Sequence, residues 1–154
     1  MSSVISLYDR LAGFASNRWF EGLALLFARV ALGGIFWRSY TTKVEEGTWL
    51  QISDVQYFLF ENEFSGLPIP TDIAVPMATY AEFLFPVLLL FGLATRFSAV
   101  SLLIMTLVIQ LFVFPTWDHW FGWAIMPVAL AAVLIVRGGG VFSADELIAK
   151  VRGQ

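Results

Sequence analysis

From Phe97 to Pro115 the chain runs through nineteen residues, FSAVSLLIMTLVIQLFVFP, without one charged side chain. As a helix rising about 1.5 Å per residue, such a stretch covers nearly all of the roughly 30 Å hydrocarbon layer of a bilayer. Lipid offers the backbone no hydrogen-bonding partner, so a segment of this kind must satisfy its own amides and carbonyls as a helix. Three more stretches meet the same test: about Phe20 to Thr41, about Ile73 to Ala94, and about His119 to Val136. Only Thr95 and Arg96 separate the second from the third, which makes those two an antiparallel hairpin. The expectation is an all-α integral membrane four-helix bundle with short amphipathic interfacial helices, formed as a single domain over residues 1–154 with no internal repeat. Composition agrees, since 58% of residues are hydrophobic and 14% charged, whereas soluble domains carry about 25% charged residues.

The same composition excludes several chemistries. Without cysteine the chain supplies no disulfide, no thiolate metal site and no iron–sulfur cluster. With His119 as its single histidine, one subunit builds no bis-histidine haem and no multi-histidine metal cage. Any redox chemistry must therefore come from a bound molecule or a partner. A net charge of -3 with no basic run argues against nucleic acid.

Orientation follows from the nine basic residues, because short cytoplasmic loops collect lysine and arginine. Arg10, Arg18, Arg96, Arg137, Lys150 and Arg152 lie on the side of the N-terminus, against Arg38 and Lys43 at the far end of the first span. This places both termini in the cytoplasm and Thr42 to Asp72 outside. The outer surface, with Glu45, Glu46, Asp54, Glu61, Glu63, Asp72 and Asp118, is acidic. No cleaved signal peptide is expected, since Asp9 and Arg10 interrupt the N-terminal apolar pattern.

Three shorter helices are expected at the surfaces. Val4, Leu7, Tyr8, Leu11 and Phe14 recur at helical spacing opposite Asp9 and Arg10, and Trp49, Ile52, Val55, Phe58 and Leu59 repeat the pattern after the first span. Gly66, Pro68 and Pro70 end that second helix. Ser143 to Glu146, after the glycines at 138–140, reads as a capping box opening a short cytoplasmic helix.

Two charges fall inside the apolar spans, Arg29 and Glu82, and each would cost several kcal/mol alone in hydrocarbon. Each lies nine residues into its span from opposite faces, so antiparallel packing brings them to similar depth and predicts a buried ion pair, either structural or part of a site. Pro86 denies the Glu82 carbonyl its helical partner, and Pro127 does the same for Trp123. At the outer end gather Gln110, Trp117, Asp118, His119, Trp120 and Trp123, with His119 and Trp123 one turn apart on a shared face. Tryptophans there serve first as interfacial anchors. A histidine beside a carboxylate, walled by indoles, would also suit a quinone headgroup, which needs hydrogen-bonding partners and flat apolar walls.

The pattern resembles the DoxX family of small membrane proteins over about Leu23 to Leu147. Arg29, Gly33, Phe36 and Lys43 in ARVALGGIFWRSYTTKV match the family's first span. Glu82, then LLLFGLATR with Gly92, Leu93 and Arg96, matches its second. LVIQLFVFP, then Trp117 to His119, and Gly140, Ser143 and Asp145 complete the set. Where members often carry a glycine about four residues before the lysine, this chain has Ser39 and Tyr40. The resemblance implies a four-helix bundle in the bacterial inner (plasma) membrane with a link to redox and quinone biology, but no established reaction. Three functions stay open: a quinone-interacting subunit using His119, Asp118, Gln110 and Trp123; a non-catalytic scaffold or assembly factor; and a small-solute or ion carrier built on Glu82. The expected partners are the lipid bilayer and redox or membrane-complex proteins, with homo-oligomers open; quinone is the one cofactor considered, with no metal, haem or iron–sulfur cluster.

Overall fold

The computed structural model describes Ser6, Gly13 and residues 17–153, and is all-helical apart from an isolated bridge between Val44 and Ile52. The expected N-terminal amphipathic helix from Val4 to Phe14 falls, but for Ser6 and Gly13, outside the described residues. Four helices are long and apolar enough to cross a membrane: α1 (Arg18–Thr41), α3 (Thr71–Phe91), α4 (Thr95–Val113) and α5 (Trp117–Arg137). Among the described residues two short ones accompany them, α2 (Asp54–Asn62) and α6 (Ala144–Val151).

All four spans begin two residues before the apolar run, and three of them do so where a side-chain cap is available. The Asn17 side chain accepts from the Trp19 amide, and that of Thr116 from the His119 amide, each satisfying an orphan donor of a first turn. At α4 the cap comes from elsewhere in the chain. Asp145, in α6, accepts the Ala94 and Thr95 amides, one on each carboxylate oxygen, both at 2.8 Å. Gly92 closes α3 in the left-handed region (φ 66°), with the Leu93 amide reaching the Leu88 carbonyl as a Schellman motif requires.

Packing is cyclic: α1 lies against α3, α3 against α4, α4 against α5 and α5 back against α1. Leu25, Leu32, Phe36, Leu89, Ala99, Leu102, Ala131 and Leu134 fill the centre. The outer face is apolar as well, with Phe27 and Val136 each 71% exposed and Phe91, Phe97, Leu111 and Phe121 similarly bare. Water would penalise so continuous an apolar coat, whereas lipid does not, so burial facing inward and apolarity all round together describe a bundle in a bilayer.

α2 caps one end. It starts at Asp54, later than the apolar pattern from Trp49 suggests, and the face it buries is different: Gln56 and Phe60 turn inward while Trp49, Val55 and Phe58 are exposed. Phe60 packs with Ala74 and Val75 at the start of α3, and the Gln56 side-chain amide donates to the Thr42 carbonyl at 3.2 Å.

Both ends of the tight turn between α4 and α5 carry one turn of π-helix, at Ile109–Val113 and Trp120–Ala124. The second lies just before Pro127, which has no amide to give the preceding turn.

Candidate functional site

The buried charges are not paired with each other, which corrects the expectation of an Arg29–Glu82 ion pair. Gly33 sets the register of α1 on α3: a β-carbon there would lie 3.5 Å from Pro86 Cα. One turn either way, Arg29 then stands opposite the end of α3 and Glu82 opposite Trp37, whose ring is 5.8 Å from that of Phe83. The two charges are thus offset by about eight residues, or ~12 Å along the axis. Side chains on a helix also lean toward its N-terminus, so on antiparallel helices Arg29 and Glu82 lean apart.

Arg29, with no exposed surface, spends its guanidinium on backbone. Nη1 donates to the carbonyls of Leu89 (3.1 Å) and Leu90 (3.5 Å), and Nη2 to Phe142 (2.7 Å). Two are last-turn carbonyls of α3, of which Leu89 also accepts the Gly92 amide at 3.0 Å, and one belongs to the loop before α6. Arg29 therefore joins three segments through its two terminal nitrogens, while its Nε is buried without a partner among the described residues.

Glu82 instead meets Lys43, with Nζ 2.8 Å from Oε2 and side-chain exposures of 12% and 3%. Lys43 directs an aligned hydrogen to Ser39 Oγ at 2.7 Å, so the residue that stands at the family's usual glycine region supplies the lysine's hydroxyl acceptor. Beside them Tyr40, 2% exposed, donates to the Trp49 carbonyl and packs on Phe83 at 5.1 Å. Trp37 closes this aromatic wall. Lys43 is legible in the sequence as a motif position; its role as the partner of Glu82 is not, because it lies beyond the helix end and reaches back.

At the α4–α5 turn three of the four residues expected around a quinone do come together. Gln110, 8% exposed, donates both side-chain amide hydrogens, to the carbonyls of Phe114 and Thr116, each at 3.0 Å. Its oxygen then faces His119 Nδ1 at 2.7 Å, and with the amide nitrogen committed to carbonyls, Nδ1 must be the donor. The imidazole lies between two rings, Phe114 at 4.8 Å and Trp123 at 5.2 Å. Trp123 continues to Phe36 in the core at 6.2 Å. Nε2 is left without a partner among the described residues. Asp118 is not part of this cluster: it is exposed, forms no hydrogen bond or ion pair among the described residues, and sits in the first turn of α5, where a carboxylate suits the helix dipole. The group orienting the histidine is the Gln110 amide, four residues before the Phe114 ring that covers it.

Of the remaining motif positions, Gly33 serves the α1–α3 contact, Phe36 the central core beside Trp123, and Gly92 the α3 C-cap. Arg96 donates from Nη2 to the Val136 carbonyl at 3.2 Å.

Comparison with known proteins agrees with this architecture. The DoxX family model matches residues 24–115, which contain Arg29, Lys43, Glu82, Arg96 and Gln110 and stop short of His119. A Haemophilus influenzae protein bearing the name uncharacterized protein is 34% identical over 137 residues, covering 85% of this chain and 87% of its own length. No solved structure matches the chain. With the model matching more than half of the sequence, across all of α3 and α4 and most of α1, this four-helix membrane protein belongs to the DoxX family.

Proposed function

We propose that this protein is a quinone-linked subunit of a redox system in the bacterial inner membrane, and that His119 meets the carrier in its reduced, quinol form. The observation that carries the reading is the commitment of Nδ1 to Gln110, which fixes the neutral imidazole as a tautomer whose exposed nitrogen is an acceptor. A quinone carbonyl offers Nε2 no hydrogen, whereas a quinol hydroxyl does. Phe114 and Trp123 supply flat walls for the ring, and the site lies at the end of two spans, where a lipid-soluble carrier arrives from the bilayer. A bound quinone would supply the electron-carrying chemistry that a chain without cysteine lacks. Gln110 acts on the site through His119, as a positioning residue.

The orientation that goes with this reading keeps both termini in the cytoplasm. Arg18, Arg96 and Arg137 line one cleft, so they share an end, while Lys43 turns inward to Glu82 and leaves Arg38 as the basic residue at the other end of α1. That asymmetry supports the positive-inside assignment. A periplasm-dependent phosphatase fused at Gly47 should be active and one fused after Gln154 inactive; the reverse pattern overturns the orientation.

The binding test is a titration of full-length protein in mild detergent with a short-chain quinol and, separately, its oxidised quinone. Tighter binding of the quinol is expected, and His119→Leu should weaken it by about five- to 150-fold, the worth of one hydrogen bond of about 1–3 kcal/mol. Absence of binding to wild type removes the quinone role. The scaffold reading then leads, supported by the exposed Leu147 and Val151 on α6 as a docking edge.

A further inference from the structure

At the end of the bundle opposite His119, the start of α1, the turn into α4, the end of α5 and α6 enclose a cleft of about 340 Å³. Its floor is the loop Gly138, Gly139 and Gly140, and its rim carries Arg18, Arg96 and Arg137. We propose that this cleft binds a phosphate group.

The acids lining the cleft are Glu21, Asp145 and Glu146, equal in number to the arginines. Each already has a partner. Glu21 holds Arg137, receiving Nε at 2.7 Å. Glu146 holds Arg18 at 3.1 Å and Lys150 at 3.5 Å. Asp145 has both oxygens on the Ala94 and Thr95 amides, so its charge is directed into the N-terminus of α4. Arg96 alone among the three arginines has no carboxylate partner among the described residues. Its Nη2 takes a carbonyl, and its Nε lies 3.4 Å from where a Gly138 β-carbon would be, so the guanidinium lies along the glycine loop.

The loop supplies the second observation. Gly138 donates its amide to Leu134, but the amides of Gly139, Gly140, Val141 and Phe142 meet no acceptor among the described residues. Gly139 is buried. Buried amides are almost always paired, and a run of unpaired amides beside an arginine is an arrangement that anions use. Close packing keeps the loop bare: a β-carbon at Gly139 would fall 2.5 Å from Ser143 Cβ and 2.7 Å from Thr95 Oγ1, so only glycine fits. Thr95 Oγ1 itself is buried without a hydrogen-bond partner.

A tetrahedral phosphate suits this set better than a planar carboxylate, since the arginines stand on three different helices and the unpaired amides on a fourth segment, the loop. The site opens at the level where helix ends meet the bilayer surface. Both an anionic phospholipid headgroup and free phosphate can reach it.

The test uses full-length protein in an uncharged detergent, following thermal unfolding while titrating short-chain phosphatidylglycerol in one arm and inorganic phosphate in the other. A saturable rise in Tm with phosphatidylglycerol alone identifies the lipid, and one with inorganic phosphate identifies the free anion. In either case Arg96→Gln should raise the half-saturating concentration about tenfold, the loss expected for one charge-assisted contact. Arg38→Gln, at the other end of α1, should leave it unchanged. Arg137→Gln serves as the second variant should Arg96→Gln not fold, with the same direction expected. No saturable rise in either arm, or an equal rise in wild type and the cleft variants, overturns the proposal.

Discussion

The two charges buried in the bundle find opposite kinds of partner. Arg29 donates to backbone, at the carbonyls of Leu89, Leu90 and Phe142, much as Asp145 at the same end takes the amides of Ala94 and Thr95. Glu82 meets a side chain, Lys43, which also donates to Ser39, and at the same end the Gln110 side chain accepts from His119 and leaves Nε2 over. A side chain bound to helix-end backbone is held by groups that cannot change place. Side-chain pairs at a lipid boundary can exchange partners, and chemistry needs that freedom. The difference separates two buried charges that hydropathy alone makes look equivalent.

The largest effect expected from this comparison is at Arg29. Arg29→Met would leave the Leu90 and Phe142 carbonyls without their donor and the Leu89 carbonyl with the Gly92 amide alone, and unmade buried hydrogen bonds of about 1–3 kcal/mol each put the loss at roughly 2–5 kcal/mol. Arg29→Lys should recover little, since a single ammonium lacks the fork that reaches α3 and the Phe142 loop together. Thermal unfolding in detergent checks both. A smaller loss for Arg29→Met than for Glu82→Gln would break the distinction between the ends.

A double-mutant cycle sharpens it next. Lys43→Met and Glu82→Gln should be coupled, with an interaction energy of about 1–3 kcal/mol, whereas Arg29→Met and Glu82→Gln should add within about 0.5 kcal/mol. Coupling in the second cycle and additivity in the first would restore the pairing that depth alone suggests. Asp145→Ala follows, at about 1–2 kcal/mol for the lost cap of α4, with Asp145→Asn milder because it keeps one acceptor.

The spans themselves are legible in the sequence, because lipid imposes length and apolarity on each segment separately. Their mutual register is not. Hydropathy locates a residue within its own helix to a turn or so, but the stagger of α1 on α3 is set by Gly33 meeting Pro86, a contact no single-segment pattern contains. The same limit explains Lys43, assigned by spacing to an outer loop yet reaching back to Glu82. Local signals fared better: Ser143 does accept the Glu146 amide at 3.2 Å, as a capping box should. Even so, the adjacent Asp145 caps a helix fifty residues away in sequence, which the box gives no hint of. At the turn between α4 and α5, proximity in sequence misleads for Asp118, whose neighbour His119 faces Gln110 instead, and the π-helical turns on either side leave no sequence mark beyond Pro127.

The smallest stability effect, and the finest test of the comparison, lies at Gln110. Gln110→Leu removes the acceptor of His119 Nδ1 and the donor to the Phe114 and Thr116 carbonyls, but these carbonyls sit in an exposed turn, where other donors can replace it. The loss should therefore stay near 1 kcal/mol. Its consequence for the imidazole is larger than for the fold. Once Nδ1 has no partner, the hydrogen is free to move to Nε2, and that unpartnered nitrogen changes from acceptor to donor for part of the time. Under the quinol reading, Gln110→Leu should then narrow the preference for quinol over quinone, while His119→Leu weakens quinol binding outright. Gln110→Glu, which keeps an oxygen acceptor for Nδ1, should retain the preference. Binding isotherms for both carrier forms with the three variants give the answer: a quinol preference that survives Gln110→Leu intact would mean that the amide does not set the tautomer, and that the open capacity attributed to this end belongs to another group.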